Sequence, residues 1–144
     1  MALTNRQLYD TRYRVNDKYI GIASTNARVN LLDVTTLVGH EVVSGNIGGQ
    51  VNIAKISWTT DVLLQIIWNG TASGQDVVAF LCAAGSGTYG FMPGQPAIIN
   101  NGVNTAATSG DVLITNASAN FTLSIEYHKV QDAGGRGWTA SGGE

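Results

Sequence analysis

The feature that most constrains this chain is the octet Phe121-Thr122-Leu123-Ser124-Ile125-Glu126-Tyr127-His128. Every odd position is apolar and every even position is polar. Only an extended backbone, whose side chains alternate between two faces, sorts these residues cleanly; a helix would scatter both kinds around its circumference. The octet predicts a half-buried strand with Phe121, Leu123, Ile125 and Tyr127 inward. Thr122, Ser124, Glu126 and His128 then face outward.

Other segments repeat the pattern less cleanly. From Val51 to Trp58 the alternation runs in two phases, Val51 and Ile53 in one and Ile56 and Trp58 in the other. One extra residue near Ala54-Lys55, a β-bulge, reconciles them. Val62 to Trp68 and Val77 to Cys82 are nearly continuous apolar runs. They are too short for buried helices and read as central strands. Thr59-Thr60-Asp61, Asn69-Gly70, Gly85-Ser86-Gly87, Pro93-Gly94 and Asn100-Asn101-Gly102 punctuate the chain at similar intervals, as turn residues do. The expected fold is all-β: an antiparallel β-sandwich, jelly-roll-like or barrel-like, of about eight short strands. Residues 36–130 are assigned to this domain.

The two ends read differently. Residues 1–35 are expected to form an extended N-terminal arm, in which Thr4 and Asn5 would cap a short helix through Arg14. Residues 131–144 hold five glycines and are expected to be a flexible tail. Trp138 stands out there as either an anchor onto a partner or a plug on the domain's own surface.

Charged residues make up only 12% of the chain, about half the usual share. Depleted charge suits short strands and tight turns, and also a surface covered by partners. Arg6, Arg12, Arg14, Lys18 and Arg28 make the first 34 residues slightly basic, while the rest is acidic. The imbalance is too small for nucleic-acid binding, which needs a dense basic stripe. No apolar stretch approaches the roughly 18 residues of a spanning helix, so no membrane partner is expected. The first residues lack the order of a secretion signal, and a chain made and kept in a cytoplasm, or leaving it by another route such as inside a particle, is expected.

Catalytic patterns are missing. Gly85-Ser86-Gly87-Thr88-Tyr89-Gly90 matches a dinucleotide fingerprint in letters, but Phe91-Met92-Pro93-Gly94 cannot open the helix whose amides would hold a pyrophosphate. His40 and His128 are the only histidines and neither sits in a metal-ligand spacing. Glu126 and His128 share a strand face, and an exposed ion pair or a contact with a partner is expected of them. Cys82, the single cysteine, lies within an apolar run and reads as a buried structural thiol. Trp58 and Trp68 read as core residues, with exposure on one sheet face as the alternative. The chain is expected to be no enzyme, with no cofactor and no metal.

Four segments in order resemble those of a known group: Lys55-Ile56-Ser57-Trp58-Thr59-Thr60-Asp61, Ile66-Ile67-Trp68-Asn69-Gly70, Ser109-Gly110-Asp111-Val112-Leu113-Ile114-Thr115, and Leu123 to Lys129. Their succession is similar to small virion proteins of tailed bacteriophages, the capsid decoration or cement proteins. The resemblance covers about residues 51–130. It implies a structural protein on the outer capsid surface, a homotrimer at three-fold or quasi-three-fold positions, with the major capsid protein and its own copies as partners. Under that reading Tyr9, Arg12, Tyr13, Arg14 and Tyr19 supply shell contacts, because Arg and Tyr are enriched at binding hot spots, and Trp138 is a further contact. The alternative is a carbohydrate-binding sandwich of a phage fibre or baseplate, with Trp58 and Trp68 as its stacking surface.

Overall fold

A computed structural model describes residues 2–11, 13–22, 28–38, 50–70, 76–99, 108–115 and 120–129. They form nine strands and one 3₁₀ turn: β1 (Ala2–Asp10), β2 (Arg14–Ile22), β3 (Arg28–Leu32), the turn Val34–Thr36, β4 (Val51–Thr60), β5 (Leu64–Gly70), β6 (Val77–Cys82), β7 (Gly85–Tyr89), β8 (Thr108–Thr115) and β9 (Phe121–Lys129). All pairings are antiparallel. One sheet runs β1-β2-β9-β4-β7 and the other β3-β8-β5-β6. Leaving β1 aside, this is the eight-stranded jelly roll, two Greek keys folded face to face.

The octet is the spine of this arrangement. β9 pairs with β2 on one side and β4 on the other, and its side chains alternate in burial along its whole length, odd residues inward. The register of β4 on β9 shifts between Ile53 and Lys55, so the two phases of the β4 sequence are joined by a bulge at Ala54. Beyond it, Ile56 stands beside Ile125 and Trp58 beside Leu123 on the inner face. Opposite them Leu64, Ile66, Trp68, Cys82, Val112 and Ile114 close the core from the second sheet. β5 begins two residues later than the apolar run suggests, because Val62 and Leu63 lie exposed in the turn before it.

The N-terminal segment departs from expectation. Residues 2–10 are a strand rather than a capped helix, and β1, β2 and β3 are members of the two sheets rather than a separate arm. Val15 and Tyr19 are fully buried in the core. One turn of helical spacing cannot compete with a nine-residue strand paired along its length. The core here is partly polar: Tyr19 donates to Asp17 at 3.1 Å and lies 3.0 Å from the Tyr127 hydroxyl. Lys129, with its side chain fully buried, pins three segments together. Its ammonium donates to Asp10 and to the carbonyls of Thr11 and Val38, each at 2.6 Å.

Candidate functional site

Of the residues expected to make shell contacts, Tyr9, Tyr13 and Arg14 lie around the β1–β2 turn. Tyr19 is entirely inside the sandwich and cannot touch a partner. Tyr9 is half-buried and donates to Glu126 at 2.5 Å. Tyr13 is exposed beside the β1–β2 turn, and Arg14 is exposed at the start of β2. Arg12 and Trp138 lie outside the described residues. The expected Glu126–His128 pair is present at 3.5 Å.

The aromatic surface required by the carbohydrate alternative is not formed by the two tryptophans. Trp68 is buried. Trp58 turns inward, packs edge-on against Phe80 with ring centroids 5.6 Å apart, and donates its indole N–H to the Ala83 carbonyl at 3.0 Å. Its ring lies flat against β7 only because residue 87 is glycine: a Cβ there would fall 2.3 Å from Trp58 Cζ2. The glycine-rich letters at 85–90 thus form an edge strand that makes room for an indole. Cys82 is buried, and desolvation pushes its thiol up to about 12.

The outer face of the five-stranded sheet is where a site takes shape. Residues paired across antiparallel strands point to the same side, so the register lines up two ranks. One holds Arg6, Lys18, Ser124, Ser57 and Thr88, one residue from each strand. The next holds Ile20, Thr122, Thr59 and Ser86. Successive strands stand about 4.8 Å apart and alternate residues in one strand about 6.7 Å apart. Six hydroxyls therefore form a regular grid over β9, β4 and β7. A groove of about 660 Å³ runs over it, with Leu8 and Lys18 at its β1–β2 end. A shallower hollow of about 290 Å³ over Ile20 and Gly21 shares Thr59 and Thr122 with it.

These hydroxyls are accessible and largely unspent. Thr59 and Ser86 are 3.1 Å apart and hydrogen-bonded. Among the described residues, Ser57, Thr88, Thr122 and Ser124 make no side-chain hydrogen bond. A hydroxyl both donates and accepts, so the grid can meet a ligand rich in hydroxyls with either polarity. It offers neither a nucleophile with a base nor a carboxylate pair. Among the described residues, no three of His, Cys, Asp and Glu come together as metal ligands. No helix among them is long and apolar enough to cross a membrane.

Sequence reasoning placed Thr122 and Ser124 outward but overlooked the grid. Its signal is a hydroxyl at alternate positions, Ser57-Trp58-Thr59, Ser86-Gly87-Thr88 and Thr122-Leu123-Ser124, in three strands whose adjacency the sequence does not state.

No protein-family model matches the chain. No curated protein matches it. Two solved structures align over most of it. One is a mutant of CBM29-2, a family 29 carbohydrate-binding module, at 8% identity over 90% of this chain and 87% of that one, with a TM-score of 0.41. The other is described as a carbohydrate-binding module of family 29, at 8% identity over 90% of both chains, with a TM-score of 0.42. Similarity at this level says nothing about a ligand.

Proposed function

We propose that this chain is a binding domain that holds a carbohydrate chain in the groove over the hydroxyl grid, and that it performs no chemistry on it. The single observation that carries this is the pair of hydroxyl ranks across β9, β4 and β7, accessible and facing a groove. Its volume falls within the usual range for ligand sites, about 300–1,000 Å³. Rigid strands fix the grid spacing, so a ligand with regularly placed hydroxyls binds without reorganising the protein. The groove supplies Leu8 as an apolar edge for sugar C–H faces.

The test is a glycan array covering neutral and acidic oligosaccharides, probed with the wild-type protein and with Thr59→Trp. Thr59 is exposed at the centre of the grid, so a tryptophan fills the groove without entering the core. The wild type should retain at least one class of glycan, and Thr59→Trp should lose it at unchanged melting temperature. Absence of any retained glycan, or equal retention by the variant, would overturn the proposal.

A second reading, a homotrimeric decoration protein on a phage capsid, is favoured by a different surface. β6 is an edge strand, Val-Val-Ala-Phe-Leu-Cys, without a single charge or proline. Val78 and Leu81 are about half exposed on its outer side. Free edges usually carry such protection, and a protein partner would supply it instead. Co-sedimentation with assembled capsids that is lost in Val78→Lys/Leu81→Lys supports this reading; a monomer that ignores capsids removes it.

A further inference from the structure

The basic end of the groove contains a feature that works against the fold. Arg6 on β1 and Lys18 on β2 are direct cross-strand partners on the same outer face. Like charges placed opposite one another destabilise a sheet. Both side chains are exposed, and among the described residues neither makes an ion pair or hydrogen bond that would relieve the repulsion. The nearest acid on this face, Glu126, sits one rank away. Its carboxylate already accepts from Tyr9 and lies 3.5 Å from His128. Lys18 itself lines the groove, and no carboxylate does. The rank that begins Arg6, Lys18 continues directly into the hydroxyls of Ser124, Ser57 and Thr88.

Resting on the carbohydrate-binding proposal, we infer that the groove takes an anionic glycan, a uronate-type chain whose carboxylate is held between Arg6 and Lys18 while its hydroxyls lie along the grid. The repulsion that the free protein carries is then relieved by the ligand's own charge. An arginine can grip a carboxylate with two parallel hydrogen bonds, and the adjacent ammonium adds a point charge. Nucleic acid is also a polyanion, but it asks for a longer basic track and exposed aromatic rings for its bases. Arg14 and Lys55 stand on the same face but do not line the groove, so the rank along the groove offers two cations, Arg6 and Lys18, and a field of hydroxyls rather than a continuous basic track.

The experiment compares hexagalacturonate with its fully methyl-esterified form by isothermal titration against the whole chain. The two ligands share a backbone and differ in charge. The acid should bind about tenfold more tightly at low salt, with the difference shrinking between about 0.05 and 0.5 M salt. Arg6→Gln/Lys18→Gln should bring the two affinities level and should melt no lower than wild type, because a repulsive pair is removed. Equal affinities of the wild type for both ligands, or a difference that survives in the double variant, would overturn the inference while leaving carbohydrate binding intact. Failure to bind either ligand, together with an array blank for every glycan, would remove the carbohydrate proposal itself. An oligothymidylate bound as tightly as hexagalacturonate would replace the anionic glycan with nucleic acid.

Discussion

Asp10→Ala tests how this sandwich holds its N-terminal strand. The Lys129 side chain is fully buried and that of Asp10 is 9% exposed, with Nζ and Oδ1 2.6 Å apart. The other carboxylate oxygen accepts the Val38 amide at 2.7 Å. Removing the carboxylate leaves the ammonium inside the protein facing neutral carbonyls. Breaking a buried pair from one side typically costs about 3–5 kcal/mol. In a chain of 144 residues each kcal/mol moves the melting temperature by roughly 2–4 °C, so a fall on the order of 10 °C is expected. Urea unfolding followed by tryptophan fluorescence reads the free energy directly. Asp10→Ala/Lys129→Met, which removes both charges, should lose clearly less than the two single losses combined, a coupling of at least about 1 kcal/mol. A single variant within about 0.5 kcal/mol of wild type, or strictly additive losses, would refute the claim that this pair pins β1, the segment at Val38 and the end of β9 together.

Other outcomes follow from the core. Burial raises the Asp17 carboxyl above its ordinary value, with the Tyr19 hydroxyl and the neighbouring Gln7 and Asn5 amides partly offsetting it. One of its oxygens has no hydrogen-bond partner. In a group raised on folding, the native state holds its proton more tightly than the unfolded chain. Its contribution is full below the ordinary aspartate value and is lost as pH rises through the folded one. Asp17→Asn should therefore flatten the pH dependence of stability above about pH 4, as measured by melting across a pH series; an unchanged slope would count against it. Gly87→Val should push Trp58 off β7, red-shift its fluorescence and cost about 1–3 kcal/mol; an unshifted spectrum would count against that packing. Native Cys82 should resist a thiol reagent such as DTNB at pH 8 and react fully in denaturant, because its thiol is buried and titrates near 12; rapid native labelling would contradict its place in the core.

What the sequence disclosed depended on how local the signal was. The octet announced β9, and the two-phase alternation around Ala54 announced the bulge, because both are written in consecutive residues. β1 and β2 were hidden for a physical reason. Their inner-facing positions include Asn5, Gln7 and Asp17 beside Tyr19, so polar residues occupy the side that a binary pattern assigns to apolar ones. A register shift at Leu8 interrupts what alternation there is. The short helix through Arg14 rests on two capping residues and one turn of spacing that brings Leu8, Tyr9 and Tyr13 near one face, too little to outweigh pairing along a whole strand. The groove was out of reach for another reason. Ser124, Ser57 and Thr88 meet only through the pairings of β9 with β4 and of β4 with β7, and Arg6 meets Lys18 only once β1 is known to be a strand.

The most direct test of the account is to map ligand contact on the folded protein. Backbone amide shifts, recorded by NMR during titration with the glycan retained on the array, should move at Lys18, Ser57, Thr59, Ser86, Thr88, Thr122 and Ser124 and stay still along β6. Shifts confined to β6 and the outer side of the four-stranded sheet, with the grid silent at saturation, would contradict it.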